Sequence, residues 1–424
     1  MTQAYNISFR TFFVPMLWIL YFIISSRLLS RLPAGEIEEV LFLITLLIVL
    51  ISCIRETSRM TSKGVLSKIF LILLPLIALP FVNALTANKV FGQPYLYGVL
   101  AQRQHFMILS SWFIIIQLKR GMISLERLEK YFVYSMIVML LIMYVFYVFI
   151  DPNTFSGTDF VKLTANKGWI YKFPNGITAG LLIYCCIQIV VNSLYRYLLP
   201  FIATIWYFVY YAQDRSQLAF IALTVLFLYL TAISLKRKAL YALYGISGLM
   251  LGLMLLSIFN NALLEKYIEL YTNASAIFTG SSSVESSTNI RFDEAAIAKS
   301  GIEDHPWMGN GFLSNRWEDG YFQFYHYFYP SDVGILGNLY VFGIIGTIIQ
   351  YIPFIAVFIW AFKLRRLKNP FLLTSIYTMI FLFFDMLTAA NNLMYIALPA
   401  FFFGIVYYYR YHVLPETESL NPQE

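Results

Sequence analysis

The stretch Val333–Phe362, VGILGNLYVFGIIGTIIQYIPFIAVFIWAF, contains no Asp, Glu, Lys, Arg or His. A helix needs about twenty apolar residues to cross the hydrocarbon core of a bilayer. This stretch is longer than that, and the charges that follow it are Lys363, Arg365, Arg366 and Lys368. It reads as a transmembrane span that ends at a basic, cytoplasmic edge. Composition says the same of the whole chain. Of 424 residues, 59% are hydrophobic and 12% charged, with a mean hydropathy of +0.67. Soluble domains carry about twice that charged share, so lipid must be the solvent for most of this surface. The 32 Tyr and 38 Phe suit interfacial belts, and the net charge of +7 reads as cytoplasmic loops, with no nucleic-acid partner.

Applied outward along the chain, the same ruler yields twelve spans. They are Thr11–Ser26, Glu39–Ile54, Val65–Leu85, Tyr97–Gln117, Tyr131–Ile150, Asn175–Val191, Leu198–Tyr211, Gln217–Ser234, Ala239–Phe259, Val333–Phe362, Phe371–Leu387 and Leu393–Tyr409. The predicted class is an all-α polytopic membrane protein, one integral domain over residues 1–424. The first run follows Arg10 and lacks a small-residue cleavage site, so it reads as a retained span. Cys53, Cys185 and Cys186 lie inside apolar runs at no metal or disulfide spacing and read as small packing residues. Neither a metal nor a cofactor is expected.

Lys and Arg orient the spans. The even-numbered linkers hold Arg55, Arg59, Lys63 and Lys68; Lys119, Arg120, Arg127 and Lys130; Arg196; Lys236, Arg237 and Lys238; and the basic group after Phe362. They are predicted to face the cytoplasm, with both termini inside. Arg27 and Arg31 in the first linker, and Lys162, Lys167 and Lys172 in the fifth, weaken the contrast without reversing it. The outward linker 260–332 is the longest polar stretch. It opens with helix-compatible Asn261–Tyr271, passes through a Gly/Ser/Thr-rich segment, Thr279–Thr288, expected to be mobile, and becomes helical over Asn289–Ile302 until Pro306. The aromatic tract Tyr321–Tyr329 around His326 reads more readily as interfacial belt than as sugar platform.

Ionisable groups within spans are costly and mark function by default. Arg103 and His105 fall in the outer half of the fourth span, Asp214 and Arg215 in the outer turn before the eighth, and Asp385 near the outer end of the eleventh. All lie toward one face of the membrane, which favours a site at the outer leaflet over a midplane pathway. His105 is about 200° around a helix from Arg103 and reads as structural. Arg103 reads either as a site residue or as a structural partner of Asp385.

The layout resembles the bacterial O-antigen polymerase and O-antigen ligase family. Asp214-Arg215-Ser216 resembles the family's outer-face arginine opening a span. Arg291 with Ala295-Ala296, then His305-Pro306-Trp307-Met308-Gly309-Asn310-Gly311-Phe312, resembles its Arg…His-Pro-x-x-Gly-x-Gly-Phe signature. Ser331-Asp332-Val333-Gly334-Ile335 through Gly343-Ile344-Ile345-Gly346 resembles its return into the membrane. Ligases commonly carry His-Asn where this chain has Ser331-Asp332, which favours a repeat-unit polymerase.

The resemblance implies glycosyl transfer at the outer face of the bacterial inner membrane. The donor would be an oligosaccharide on polyprenyl pyrophosphate, and membrane lipid, a flippase and a chain-length regulator would be partners. Arg215 and Arg291 are the expected ligands of the leaving pyrophosphate, with Arg103 a third, because guanidinium binds phosphate oxygens in a fork. His326 and Asp332 are candidate bases, with Glu303, Asp304 and His305 behind them. His305 and Asp385 are further candidates for contact with the substrate. The rival functions are an O-antigen ligase, a flippase or transporter of lipid-linked sugars, and a non-catalytic export subunit. The missing internal repeats weigh against a transporter.

Overall fold

The computed structural model of the chain describes residues 15–25, 35–61, 68–156, 158, 160–164, 168–171, 173, 175–212, 215–233, 235–259, 261, 265, 268, 286–389 and 396–415. Asp214, the side chain of Arg215, most of Asn261–Tyr271, the Gly/Ser/Thr-rich segment up to residue 285 and the first residues of the twelfth expected span lie outside that description.

The described residues are mainly helical. Among the described residues, five helices are long and apolar enough to cross a membrane: Glu36–Arg59, Lys68–Phe91, Leu125–Phe149, Pro330–Leu367 and Pro370–Thr388. Tyr95–Ala101 and Arg103–Lys119 add a sixth if the pair, bent by 54°, is one span. Pro15–Ser25, Gly176–Val190 and Ser216–Ala232 are shorter apolar helices. Leu198–Trp206 is shorter still and runs on into a π-helical turn, Tyr207–Ala212. A small antiparallel hairpin, Val161–Thr164 with Gly168–Tyr171, departs from a purely helical chain. It joins Phe146, Phe155, Phe160 and Phe173 in an aromatic cluster.

Helix ends follow local chemistry. The Ser124 hydroxyl accepts from the Arg127 amide and starts Leu125–Phe149. The Asn369 side chain accepts from the Leu372 amide, with Pro370 at the first helical position, where a missing N–H costs nothing. Glu36 and Glu38 occupy the positive end of Gly35–Thr61. On that helix Ile37, Val40, Ile44, Leu47, Ile51 and Ile54 form one exposed stripe at a spacing of three and four. Phe42, Leu46, Val49 and Cys53 face inward. Water would not tolerate such a stripe, whereas lipid does.

Glu39 pairs with Arg103, and Glu56 with Arg120. The offset is 64 residues at both places, so Gly35–Thr61 and the bent segment Tyr95–Lys119 run parallel. The partner of Arg103 is thus Glu39, and not Asp385, which was the structural alternative to a site role. The bend has a cause in the neighbouring helix. Pro80 lacks an amide, so the Leu76 carbonyl loses its helical donor. The buried His105 ring hydrogen-bonds that carbonyl, and the Gln102 side chain donates to Gly98 and Pro80. Small residues let the backbones close in: Gly404 lies against Ser111, whose hydroxyl donates to Ala400 at 2.8 Å.

Candidate functional site

Several helix ends meet at one end of the bundle. Asn83, near the end of Lys68–Phe91, donates to the Val341 carbonyl at 2.8 Å and accepts from the Phe312 amide at 2.7 Å. Gly334, which opens Gly334–Leu364, lies against Leu387 at the end of Pro370–Thr388. Phe220 stacks on Phe384 and Phe227 meets Tyr377, so Arg215–Ala232 runs antiparallel to Pro370–Thr388. Arg215 therefore opens its helix at the end that carries Asp385. Of the residues expected at the outer face, Arg215 and Asp385 thus lie at the same end of the bundle.

The His-Pro-x-x-Gly-x-Gly segment has a structural role that its sequence did not disclose. Gly334–Leu364 is broken at Gly343, whose φ of 64° and ψ of −173° belong to glycine. The break frees backbone groups on both sides, and the segment 306–311 fills it. The amides of Asn310 and Gly311 donate to the carbonyls of Tyr340 and Val341 at 2.7 and 3.0 Å. The amides of Ile344 and Ile345 donate to Pro306 and Trp307 at 2.8 and 3.2 Å. Backbone groups freed in the apolar interior are thereby satisfied. The Asn310 side chain also donates to Gly301 at 2.9 Å. The Gln93 side chain, fully buried, donates to Phe312 and accepts from Ser314. The segment 306–314 is thus stitched to the long helices.

The helix Ser286–Asp304 lies on this platform with Glu294, Ala298 and Gly301 turned inward, Gly301 against the ring of Tyr340. Arg291 is exposed one turn before Glu294. Glu294 is 1% exposed, and its Oε1 accepts from the Tyr329 amide at 2.9 Å. Burial pushes its carboxyl up; the Tyr329 amide opposes this, nearby Asp332 adds to it, and Arg291 opposes it. Tyr327 is likewise pushed up by burial first, then by Asp332 and Glu294. Arg291, Glu294, Asp332 and Tyr327 are therefore one electrostatic group. Sequence reading had singled out Arg291 and Asp332 and missed Glu294. Its place three residues beyond Arg291, on the same helical face, was the available signal.

The remaining candidates divide. Asp332 is half-buried, with the Ser331 hydroxyl 3.2 Å from its Oδ1. His326 and His305 are exposed, and the His305 carbonyl accepts the Gly309 amide in the Pro-Gly turn. Asp385 is buried near the end of its helix. Arg103 is held by Glu39 on the flank. The aromatic tract is more than a belt, because Tyr321 and Phe328 are buried against Tyr340. The Tyr321 hydroxyl donates to Gly311, and the Tyr325 and Tyr340 hydroxyls pair at 2.9 Å. Phe322, Phe324 and Tyr327 remain exposed. Under the loop an apolar cleft of about 190 Å³ opens between Pro75, Leu79, Val82, Met308, Ile345 and Ile349.

Fold and composition define an integral membrane protein of helical class whose polar loop is packed onto one end of the bundle. Comparison with protein-family models gives no match, and comparison with curated proteins gives none either.

Proposed function

We propose that this protein polymerises lipid-linked oligosaccharide repeat units at the outer face of a bacterial inner membrane. The observation that carries this reading is that one polar loop bears the exposed Arg291, grouped with Glu294 and Asp332, and through Met308 also lines an apolar cleft. An exposed guanidinium and an apolar cleft on the same loop suit a lipid whose head is anionic. Twelve spans with both termini cytoplasmic would place the loop 260–332 outside.

In this reading the polyprenyl tail lies along the apolar cleft and its pyrophosphate meets Arg291, with Arg215 opening the neighbouring helix. An acceptor hydroxyl attacks the anomeric carbon. The bond from that carbon to the pyrophosphate oxygen breaks, and the oxygen leaves with the electron pair. Negative charge builds on the pyrophosphate, and the guanidinium fork stabilises it without reorganising. The hydroxyl proton passes to Asp332 or His326. Phe322, Phe324 and Tyr327 offer exposed ring faces to sugars. Polymerase is favoured over ligase by Ser331-Asp332 standing where ligases commonly have His-Asn. The flippase and the chain-length regulator would act before and beside this step.

The test is deletion of the gene and gel analysis of surface polysaccharide. Long polymer should be lost while single repeat units still reach their final carrier. Restoring the wild-type gene should return the polymer, and restoring Arg291→Ala should not. A surface without any capped carrier would favour a ligase, and an unchanged polysaccharide ladder would reject both.

A further inference from the structure

Glu294 has no part in the transfer just described, yet its burial is hard to reconcile with a purely structural role. It is 1% exposed on an outer-loop helix, and one oxygen is used by the Tyr329 amide. The other, Oε2, is buried without a hydrogen-bond partner among the described residues. A buried ionised carboxylate normally has both oxygens satisfied, and an orphaned one costs desolvation free energy. The compensating charge is Arg291, one turn away on the same helix and exposed to any anion that arrives. The other groups facing Glu294 are Asp332, from the turn 330–333, and Tyr327. The first turns of Gly334–Leu364, which pack on the same helix, contribute Tyr340 as their one titratable group.

We infer that Glu294 is a positioning residue that couples proton uptake to anion binding at Arg291. It pins the loop segment bearing Tyr327 and Asp332 onto the helix bearing Arg291, and it carries a proton when an anion occupies the site. The inference rests on the reading of Arg291 as the pyrophosphate ligand. While Arg291 is free, its positive charge favours the ionised Glu294. An anion neutralises that charge, and desolvation together with Asp332 then favours the protonated form. The protein therefore takes up a proton from solvent as the anion binds, and its Oε2–H becomes a donor. The sign follows: a carboxyl group that binds its proton more tightly in the complex gives an affinity that is higher at low pH and falls as pH rises. Once the pyrophosphate departs, Glu294 returns that proton to solvent, and the site is reset.

The probe is inorganic pyrophosphate, titrated calorimetrically into the full-length protein in lipid nanodiscs. The wild type is compared with Glu294→Gln, which keeps the Tyr329 bond but cannot ionise. The anion's own protonation is common to both proteins and cancels. From about pH 6 to about pH 8 the wild-type affinity should fall about fivefold or more beyond the fall seen for E294Q. Wild-type heats in two buffers of different ionisation enthalpy should show proton uptake beyond that of the anion itself, a measurement that stands if E294Q does not fold. Binding that needs Arg291 but has the same pH profile in both proteins, or no extra proton uptake in the wild type, would overturn this inference and leave the role of Arg291 intact. Binding indifferent to Arg291→Ala, or absent altogether, would overturn both.

Discussion

Gly309 and Gly343 meet backbone to backbone: a Cβ on either would lie 2.5 Å from the amide nitrogen of the other. Both have positive φ, 71° and 64°. This contact joins the signature loop to the broken helix, and it leaves no room for a side chain on either partner.

Alanine at Gly343 or Gly309 should therefore destabilise the folded protein. The left-handed backbone alone costs roughly 1–2 kcal/mol with a Cβ, and the overlap adds to it. Thermal unfolding followed by fluorescence-detected size exclusion should show a clear drop for both variants, whereas Gly245→Ala, with open space around it, should change little. Equal behaviour of the three would reject the docking described.

Asn83→Ala removes one side chain and leaves both the Phe312 amide and the Val341 carbonyl without that partner. The Val341 carbonyl keeps the Gly311 amide, so the orphaned group is the Phe312 amide, at a cost of roughly 1–3 kcal/mol. The loop should become open to protease from the outer side in proteoliposomes, well below the temperature at which the bundle unfolds. Gln93→Ala should act the same way through Phe312 and Ser314. Protection equal to wild type in both variants would show that these amides do not hold the loop.

The Arg103–Glu39 pair is partly exposed. Glu39→Ala and Arg103→Ala should each cost below about 1 kcal/mol of stability. If Arg103 also contacts substrate, Arg103→Ala should reduce polymer while Glu39→Ala does not. Equal effects of the two would mark the pair as structural only.

His326→Ala and Asp332→Asn separate the two candidate bases. His326 is exposed, while Asp332 is half-buried within the Arg291–Glu294 group. Loss of polymer should be severe for Asp332→Asn and mild for His326→Ala. The reverse order would make His326 the base, and wild-type polymer in both would leave the reaction to leaving-group stabilisation.

A reporter fused after Arg237 should read cytoplasmic, and one fused at Ser282 extracytoplasmic. The basic even linkers motivate this. An outward reading at Arg237 would invert the orientation and with it the placement of the site.

Membrane residence, the helical class and the helix ended near Pro306 were legible because each depends on a local property. Apolar run length, Pro and Gly positions and the placement of Lys and Arg are all properties of a short window. Asp385 was legible as a charge in an apolar run, whereas Arg291 and Asp332 were singled out only through the resemblance of their motifs to a known family. The apolar runs of the fourth and tenth expected spans did form helix, but the bend of 54° before Arg103 and the break at Gly343 were not legible in them. Hydropathy responds to side chains and is blind to whether a backbone carbonyl has found its donor.

Tertiary structure decided the rest. Asn83 meets Val341 across 258 residues, and Tyr329 meets Glu294 across 35. No window of sequence contains both members of such a pair. The break at Gly343 is stable because a distant loop satisfies the backbone groups it frees, and the charge environment of Glu294 exists because two segments were brought together around it. The solvent and the run of the chain are thus written in its composition, whereas the site is a property of contacts, which arise only when the chain is packed.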